Sequence, residues 1–430
     1  MAKDDGAVTT IASRVASICA VIDHAVASET LSARRVAAIS AMIHDVASAA
    51  EEGATRSTGK RRRMGSSRSY QETRRIGEGR FGVVLRARHR ATGQTVALKG
   101  LRWTARHRTG SDQLVGKLLR EACFMAACGG HPSVVGLRGV ARVPGTSDYA
   151  IVMEYVGPSL DQVVYDRMGR LGRPFTEGEV RGVMRQLLAG ADAMHERRII
   201  HRDIKPSNVL VVYDGGGGGG GDDDLVVKIC DYGLAMSMAE QNADGAFLAA
   251  GTRSYMAPEM LLAKPRYDTR VDMWSLGCVM AEMLTGEVLF ERADTMAGQL
   301  YRIFDVLGVP EKKKALKAFK SPFSFLAGEV KRWRQSRRGG RLRELFPEQR
   351  LSKDGLKVLK GLLTCSPSKR LDAAAALRLP WFAEPDGDHA PVVAAVSKGG
   401  GAAASIRALA SHSWQMALSC FGRPVRSKAV

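Results

Sequence analysis

The sequence has few of the features that mark secreted, metal-binding or membrane-spanning proteins. Its seven cysteines form no CxxC pair, a pattern typical of free thiols in a reducing compartment rather than of disulfides or a zinc site. No apolar run reaches the ~20 residues that a membrane span needs. Asp4 and Asp5 near the N-terminus disfavour a secretory or transit peptide. We therefore expect no membrane among the partners of this protein.

Positive charge is in excess, with a formal net charge of +20 that is concentrated in residues 56–75 and 312–343. The first cluster contains four consecutive cations, which are Lys60, Arg61, Arg62 and Arg63. Such clusters favour acidic partners, nucleic acid or nuclear import, whereas a solvated linker and a solvated loop are the simpler interpretations. No platform of interleaved aromatic residues and no reading helix accompanies them, so nucleic acid is not an expected partner. We expect the nucleus, the cytoplasm or both as location, and the four cations favour the nucleus.

A glycine-rich pattern, GxGxxG, spans Gly77, Gly79 and Gly82. The β-branched residues on either side predict a strand, a turn and a second strand, because a dinucleotide-binding loop would need a helix directly after the last glycine. Glycines let backbone N–H groups approach phosphate oxygens without a Cβ in the way. The apolar run that starts at Val96 predicts a buried strand ending in Lys99, although Lys99 could also be an ordinary surface lysine.

A second pattern, HRDIKPSN at residues 201–208, places three functional side chains on one short loop. Asp203 could accept the proton of an attacking hydroxyl, Lys205 could steady a transferring phosphoryl group, and Asn208 could hold a metal ion. Further along the chain, a DYG triplet begins at Asp231 and an APE triplet ends at Glu259.

These motifs, in this order, closely resemble those of eukaryotic protein kinases over residues 70–382. The stretches LF at 289–290, QL at 299–300, IF at 303–304, LGVP at 307–310 and LSKDGL at 351–356 resemble the cyclin-dependent-kinase-like (CMGC) branch. Within it, the sequence is most similar to plant F-type cyclin-dependent kinases. The resemblance implies an α+β bilobal fold, with a small antiparallel β-sheet lobe and a larger, mostly α-helical lobe. It also implies ATP-dependent transfer of the γ-phosphoryl group to a serine or threonine of a protein.

The resemblance assigns roles to individual residues. Lys99 would pair with the α- and β-phosphates, and Glu121 would orient it, although Glu121 could instead be a surface residue. Asp203 would orient the acceptor hydroxyl with Lys205 beside it, a lysine that resembles serine/threonine kinases. Asn208 and Asp231 would bind Mg²⁺. The ATP site would be built from Ile76, Gly77, Glu78, Gly79, Arg80, Phe81, Gly82, Val83, Val84, Ala97, Lys99, Met153 and Leu210.

The resemblance implies structural roles for other residues. Asp272 would anchor the backbone of the catalytic loop, and Glu259 would form a buried pair with Arg370. A regulatory spine, which is also ordinary core packing, would consist of Met125, Leu137, His201 and Tyr232.

The sequence departs from the branch pattern in features that govern regulation. The helix that bears Glu121 lacks a PSTAIRE-like sequence, which argues against cyclin binding. Arg80 and Phe81 replace the Thr-Tyr pair of the glycine loop, so inhibitory phosphorylation cannot occur there. Met256 replaces an arginine, which argues against proline-directed substrate choice. A scaffold that folds like a kinase but transfers little or nothing is the alternative function.

The activation loop also departs from the pattern, because Phe247 and Leu248 stand where the branch carries its activating threonine. Arg202 would then need another partner than a loop phosphate. Glu240 or Asp244 could pair with it permanently, or the apolar residues 246–249 could pack the loop in place. A third possibility is phosphorylation of Ser237.

Four regions are expected along the chain. Residues 1–52 carry apolar residues at helical spacing (Ile11, Val15, Ile18, Ile22 and Val36, Ile39, Ile43, Val46), which predicts a helical hairpin. Such a hairpin buries too little to be stable alone, so we expect it to dock on the domain or to bind a regulatory protein. Residues 53–69 are predicted to be a disordered basic linker, 70–382 the kinase domain and 383–430 a tail with a helix at 402–420. The glycine run at 215–221 is predicted to lengthen a hairpin turn.

Overall fold

A five-stranded antiparallel sheet and a group of helices make up the part of the chain that the computed structural model describes. The described residues are 5–52, 66–79, 82–100, 112–143, 148–213, 225–242, 250–264, 266–308 and 340–383. All of them belong to one unit, Met1–Gly387, and the second unit, Asp388–Val430, lies outside them. Also outside are the four cations at 60–63, the glycine run, most of the second basic cluster and the tail.

The sheet has the strand order β1-β2-β3-β5-β4, with antiparallel neighbours throughout. Its strands are β1 (Tyr70–Gly79), β2 (Gly82–His89), β3 (Thr95–Gly100), β4 (Leu137–Arg142) and β5 (Tyr149–Glu154). Strands β1 and β2 form a hairpin in which Gly79 pairs with Gly82. The glycine-rich pattern is therefore a strand, a turn and a strand, and the helix of a dinucleotide-binding loop is not present at that point.

Short strand pairs complete the β structure. They are formed by β6 (Ile199–Ile200) with β9 (Met236–Ser237), and by β7 (Val209–Tyr213) with β8 (Leu225–Ile229). The glycine run at 215–221 connects β7 and β8, which are paired along their whole length. An insertion at this point therefore leaves the strand pairing intact.

Most of the remaining elements are helices. The two N-terminal helices are α1 (Asp5–Ala27) and α2 (Ala33–Glu52), and α3 (Asp112–Ala127) lies between β3 and β4. The second half of the chain forms α4 (Leu160–Leu171), α5 (Glu177–Glu196), α6 (Pro258–Leu261), α7 (Arg270–Thr285), α8 (Met296–Leu307), α9 (Leu342–Leu345), α10 (Lys353–Leu362) and α11 (Ala373–Leu377). Every residue of α7 from Val271 to Leu284 is buried, so α7 is the centre of the helical part.

Helix α5 shows how local sequence fixes an element boundary. Thr176 stands at the N-cap and accepts a hydrogen bond from the backbone N–H of Glu179, whose carboxylate bonds back to the N–H of Thr176. This reciprocal arrangement satisfies two backbone donors that the first turn of a helix leaves without partners.

Helices α1 and α2 occupy the stretch in which apolar spacing predicts a helical hairpin, and they pack against α3. Ile18 and Ile22 are buried from α1, as are Ile39 and Ile43 from α2. By length and composition, Thr10–Ala27 could cross a membrane, a property that core helices share. In this structure one face of α1 is covered by protein.

Residues 66–69, which the sequence assigned to the disordered linker, form a turn in the structure, and 53–65 lie outside the described residues. Ser66 caps a 3₁₀ turn at Ser67–Ser69, and the chain continues directly into β1. The prediction of disorder was therefore wrong for residues 66–69, because the Ser66 side chain accepts a hydrogen bond from the N–H of Arg68.

Glu259 and Arg370 form the buried pair that the sequence predicts. The guanidinium donates to both carboxylate oxygens, at 2.7 and 2.9 Å. It also donates to the carbonyl oxygens of Arg270 and Thr364. The two side chains are 3% and 0% exposed. Removal of either partner would leave an uncompensated buried charge.

We predict that Glu259→Ala lowers the free energy of unfolding by about 3–5 kcal/mol, the cost of breaking a buried ion pair from one side. The control is Asp354→Ala, which removes the exposed pair with Lys357 and should cost less than about 1 kcal/mol. Urea titration followed by circular dichroism measures both variants. Equal losses in the two would show that the Glu259 pair has no special structural role.

Candidate active site

Lys99 is held between two carboxylates that come from different parts of the fold. Its Nζ lies 2.7 Å from Oε1 of Glu121 on α3 and 2.6 Å from Oδ1 of Asp231, which follows β8. The Lys99 side chain is only 14% exposed, and that of Glu121 is 5% exposed. The alternative interpretations of Lys99 and Glu121 as surface residues are therefore wrong.

Electrostatics favour the charged forms of Lys99 and Asp231. Burial favours the neutral form of Lys99, but the carboxylates of Glu121 and Asp231 outweigh burial, so the pKa of Lys99 is raised. Burial likewise opposes ionisation of Asp231, but Lys99 holds its pKa below the usual range. For Glu121, burial raises the pKa against the effect of Lys99. The cluster thus presents a fixed cation and a fixed anion to a ligand.

Asp203 is surrounded by hydrogen-bond donors. Its Oδ1 accepts from the backbone N–H and the hydroxyl of Thr252, both at 2.8 Å. Its Oδ2 accepts from Lys205 Nζ at 2.9 Å and from Asn208 Nδ2 at 3.2 Å. These contacts fix the carboxylate in one orientation and suit it to orienting a hydroxyl group.

The loop that carries Asp203 is anchored by Asp272 on α7, as the resemblance implies. The Asp272 carboxylate accepts from the N–H groups of His201 and Arg202, each at 2.9 Å, and from His195 Nε2. Burial opposes ionisation of Asp272, but these hydrogen bonds lower its pKa. Arg202 adopts a left-handed backbone conformation with φ of 68°, which is uncommon for a non-glycine residue and costs energy. The anchor offsets this cost.

Asn208 and Asp231 offer oxygen atoms that suit a hard divalent cation. The amide of Asn208 donates through Nδ2 to Asp203, which orients its carbonyl oxygen as the free ligand atom. Among the described residues there is no group of three or more His, Cys, Asp or Glu side chains that could hold a metal ion alone. This donor set fits Mg²⁺, which takes one or two protein oxygens and completes its shell with phosphate oxygens and water.

The predicted ATP-site residues on the sheet are brought together by strand register. Val84 pairs with Lys99, Ala97 with Met153, and Glu78 with Val83. The other described members are Ile76 and the glycines on β1 and β2, and Leu210 on β7. Arg80 and Phe81 lie outside the described residues.

The predicted spine residues lie in the core. The rings of His201 and Tyr232 contact edge to face, with centroids 5.1 Å apart. Met125 is buried on α3, and Leu137 packs against the core from β4. Tyrosine in place of phenylalanine is accommodated because its hydroxyl donates to Met194 Sδ at 3.1 Å.

Comparisons with known proteins agree with this geometry. The protein kinase domain family matches residues 70–382. A protein named as a cyclin-dependent kinase F-2 from Oryza sativa subsp. japonica is 43% identical, over 74% of this chain and 90% of the relative. Cell division control protein 2 homolog 3 of Trypanosoma brucei brucei is 36% identical, over 72% and 90%. Mitogen-activated protein kinase 15 of Xenopus laevis is 34% identical, over 73% of this chain and half of the relative.

The chain belongs to the protein kinase family. It is an ATP-dependent serine/threonine kinase of the cyclin-dependent-kinase-like type, which confirms the predicted function. The predicted α+β bilobal fold is also confirmed, with the sheet on one side of the site and the helical part on the other.

The segment between Asp231 and Glu259 differs from the sequence-based expectation. Glu240 does not pair with Arg202 but accepts from Arg120 on α3 at 2.7 Å. Arg202 donates instead to the carbonyl of Leu234 and to the hydroxyl of Tyr267. Of the alternatives that the sequence left open for Arg202, the pair with Glu240 is therefore wrong.

Ser237, the other candidate for control of this segment, is 1% exposed in β9. In this conformation its hydroxyl is not accessible to an upstream kinase. Asp244, Phe247, Leu248 and the apolar stretch 246–249 lie outside the described residues.

Thr252 is a further residue of the site, and none of the sequence motifs includes it. Its hydroxyl accepts a hydrogen bond from Lys205 Nζ at 2.7 Å and donates to Asp203. The contact joins residues 49 positions apart, so no local pattern in the sequence indicates it. Thr252 fixes Asp203 and Lys205 relative to each other.

We predict that Thr252→Val lowers the kcat of the kinase about 10- to 100-fold, because a hydrogen bond to a charged group is worth ~1.5–3 kcal/mol. Thr252→Ser keeps the hydroxyl and should retain most of the activity. Initial rates at saturating ATP, with thermal melts of all three proteins, provide the measurement. A valine variant that melts normally and turns over at the wild-type rate would contradict this role.

Proposed function

We propose that Asp203, Lys205, Lys99 and Glu121 are the residues with which this kinase transfers the γ-phosphoryl group of ATP to a protein hydroxyl. Mg²⁺ would be held by Asn208 and Asp231. The observation that carries the proposal is the contact of Lys99 with both Glu121 and Asp231, at 2.7 and 2.6 Å. It brings the proposed phosphate-binding lysine and a proposed metal ligand together at one point.

The nucleotide would lie between the sheet and β7. Val84, Ala97 and Met153 on neighbouring strands would contact the adenine from one side, and Leu210 from the other. The backbone at Gly77, Gly79 and Gly82 would cover the phosphates. Lys99 would donate hydrogen bonds to the α- and β-phosphate oxygens, and Glu121 would hold the ammonium group in that orientation.

The transfer itself needs positioning and charge neutralisation more than covalent catalysis. The hydroxyl oxygen of the substrate forms a bond to the γ-phosphorus while the bond to the β–γ bridging oxygen breaks and ADP leaves. Asp203 would orient the hydroxyl and accept its proton, and Lys205 would neutralise charge on the transferred group. When bound, Mg²⁺ supplies further neutralisation of the phosphate charge.

Protein substrates follow from the family, whereas the regulatory partner is a separate question. The name of the relative from Oryza sativa refers to dependence on a cyclin. We propose that no cyclin binds at α3 of this kinase, because α3 lacks a PSTAIRE-like sequence and already packs against α1 and α2.

We predict that Asp203→Asn lowers kcat at least ~100-fold, the usual contribution of a positioned general base. ATP affinity should change little, because Asp203 is proposed to contact the acceptor rather than the nucleotide. The control is Asp354→Asn, at a half-buried position in the first turn of α10, where the side chain pairs, among the described residues, only with Lys357.

Phosphotransfer to myelin basic protein and binding of a fluorescent ATP analogue are measured for both variants. A rate above about a tenth of wild type would remove Asp203 from the catalytic role. Wild-type protein that binds the analogue but phosphorylates no acceptor would favour the scaffold alternative.

We also propose that the kinase accumulates in the nucleus, because Lys60, Arg61, Arg62 and Arg63 form the kind of basic run that import receptors bind. We predict that replacing all four by alanine shifts a fluorescent fusion toward the cytoplasm. A matched variant with alanine at Arg86 and Arg88, a basic pair on β2, should leave the distribution unchanged. An unaltered nuclear fraction in the fourfold variant would refute the proposal.

A further inference from the structure

The outward side of α3, the helix that carries Glu121, is covered by the hairpin of α1 and α2. Gly116 on α3 lies so close to α1 that a Cβ added there would meet Val26 Cγ2 at 2.5 Å and Ile22 Cγ2 at 3.5 Å. About two turns further along, the Cys123 side chain faces Cys19 of α1, and this interaction together with burial raises the pKa of the Cys19 thiol. The contact therefore extends along much of α3.

Polar contacts fix the register of the hairpin on α3. The N–H of Leu31, between α1 and α2, donates to Asp112 Oδ2 at the start of α3 at 3.2 Å. Arg120 donates to Asp23 Oδ2 on α1 at 2.9 Å. Apolar packing alone would tolerate sliding, whereas these directional bonds hold α3 in one position.

Arg120 extends this contact to the segment that follows Asp231. Its second amino group donates to Glu240 at 2.7 Å, and Glu240 in turn accepts from the N–H of Ser237 in β9. Arg120 directly precedes Glu121. One helical turn of α3 thus contacts the hairpin, the segment after Asp231 and the catalytic lysine.

We propose that the α1–α2 hairpin is a built-in positioning element that holds Glu121 against Lys99, so that the kinase needs no second protein at α3. The inference rests on the proposed function in that Lys99 and Glu121 must act on ATP. Displacement of the hairpin would release α3 and with it the carboxylate that orients Lys99.

The test uses the full chain with Gly116→Ala. The new methyl group would overlap Val26, whose β-branched side chain has little rotamer freedom in a helix. Alanine is a better helix former than glycine, so weakening of α3 itself is not expected. We expect the KM for ATP to rise about tenfold and kcat to fall, because Lys99 loses its orienting charge.

Second-site rescue and a matched control accompany this variant. Val26→Ala removes the overlapping methyl groups and should return the double variant to within about twofold of wild-type KM. Gly182→Ala makes the same change in helix α5, where an added Cβ meets nothing within 4 Å, and should leave KM unchanged. The KM for ATP distinguishes a displaced Glu121 from a partly unfolded protein. Partial unfolding lowers the concentration of active enzyme and the apparent kcat, but not the KM for ATP.

A second variant avoids the packed interface. Arg120→Gln removes the ion pairs with Asp23 and Glu240 and leaves the apolar contact between α1 and α3 in place. Like Gly116→Ala, it should raise the KM for ATP. An unchanged KM in both Gly116→Ala and Arg120→Gln, or a loss that Val26→Ala does not reverse, would overturn the inference. Wild-type protein that transfers phosphate only after addition of another protein would also overturn it. Wild-type protein without any phosphotransfer would instead defeat the proposed function, and the inference with it.

Discussion

The ammonium group of Lys99 is the point on which the geometry of the site depends. It contacts Glu121 on α3 and Asp231, which follows the C-terminal end of β8. One buried cation on β3 therefore connects the sheet, α3 and the segment that begins at Asp231. A buried charge is tolerated only when it is paired and hydrogen-bonded, and the carboxylates of Glu121 and Asp231 both raise the pKa of Lys99 and so favour its charged form. The same requirement makes the arrangement sensitive to any movement of α3.

The hairpin supplies enough free energy to resist such movement. Ile18 and Ile22 on α1 are 2% and 0% exposed, and full burial of such a side chain contributes ~1.5–3 kcal/mol. A two-state equilibrium shifted from even populations to 99:1 requires ~2.7 kcal/mol, half of the shift from 1:99 to 99:1. Burial of two isoleucines therefore contributes free energy of the size that this shift requires. Docking also stabilises the hairpin itself, because two helices alone bury too little apolar surface to be stable.

Local patterns in the sequence predicted local parts of the fold and site. The β1–β2 hairpin and the loop from His201 to Asn208 both depend on residues close together in the chain. The hydrogen-bond partners of Asp203 and Arg202 could not be predicted from local patterns, because Thr252 and Tyr267 are far from them in the sequence. Charge alone could not decide that Glu240 pairs with Arg120, since Arg202 was an equally good cation and only the folded chain sets the distances.

The ion pair between Glu240 and Arg120 helps to order the segment after Asp231. A carboxylate carries about one charge where a phosphate carries up to two, so it orders a segment less strongly by charge alone. In this kinase the carboxylate does not act alone. Glu240 also accepts from the N–H of Ser237, β9 pairs with β6, and Arg202 donates to Leu234 and Tyr267. Because Arg120 also contacts Asp23, docking of the hairpin and ordering of the segment share one guanidinium, and each stabilises the position that the other requires.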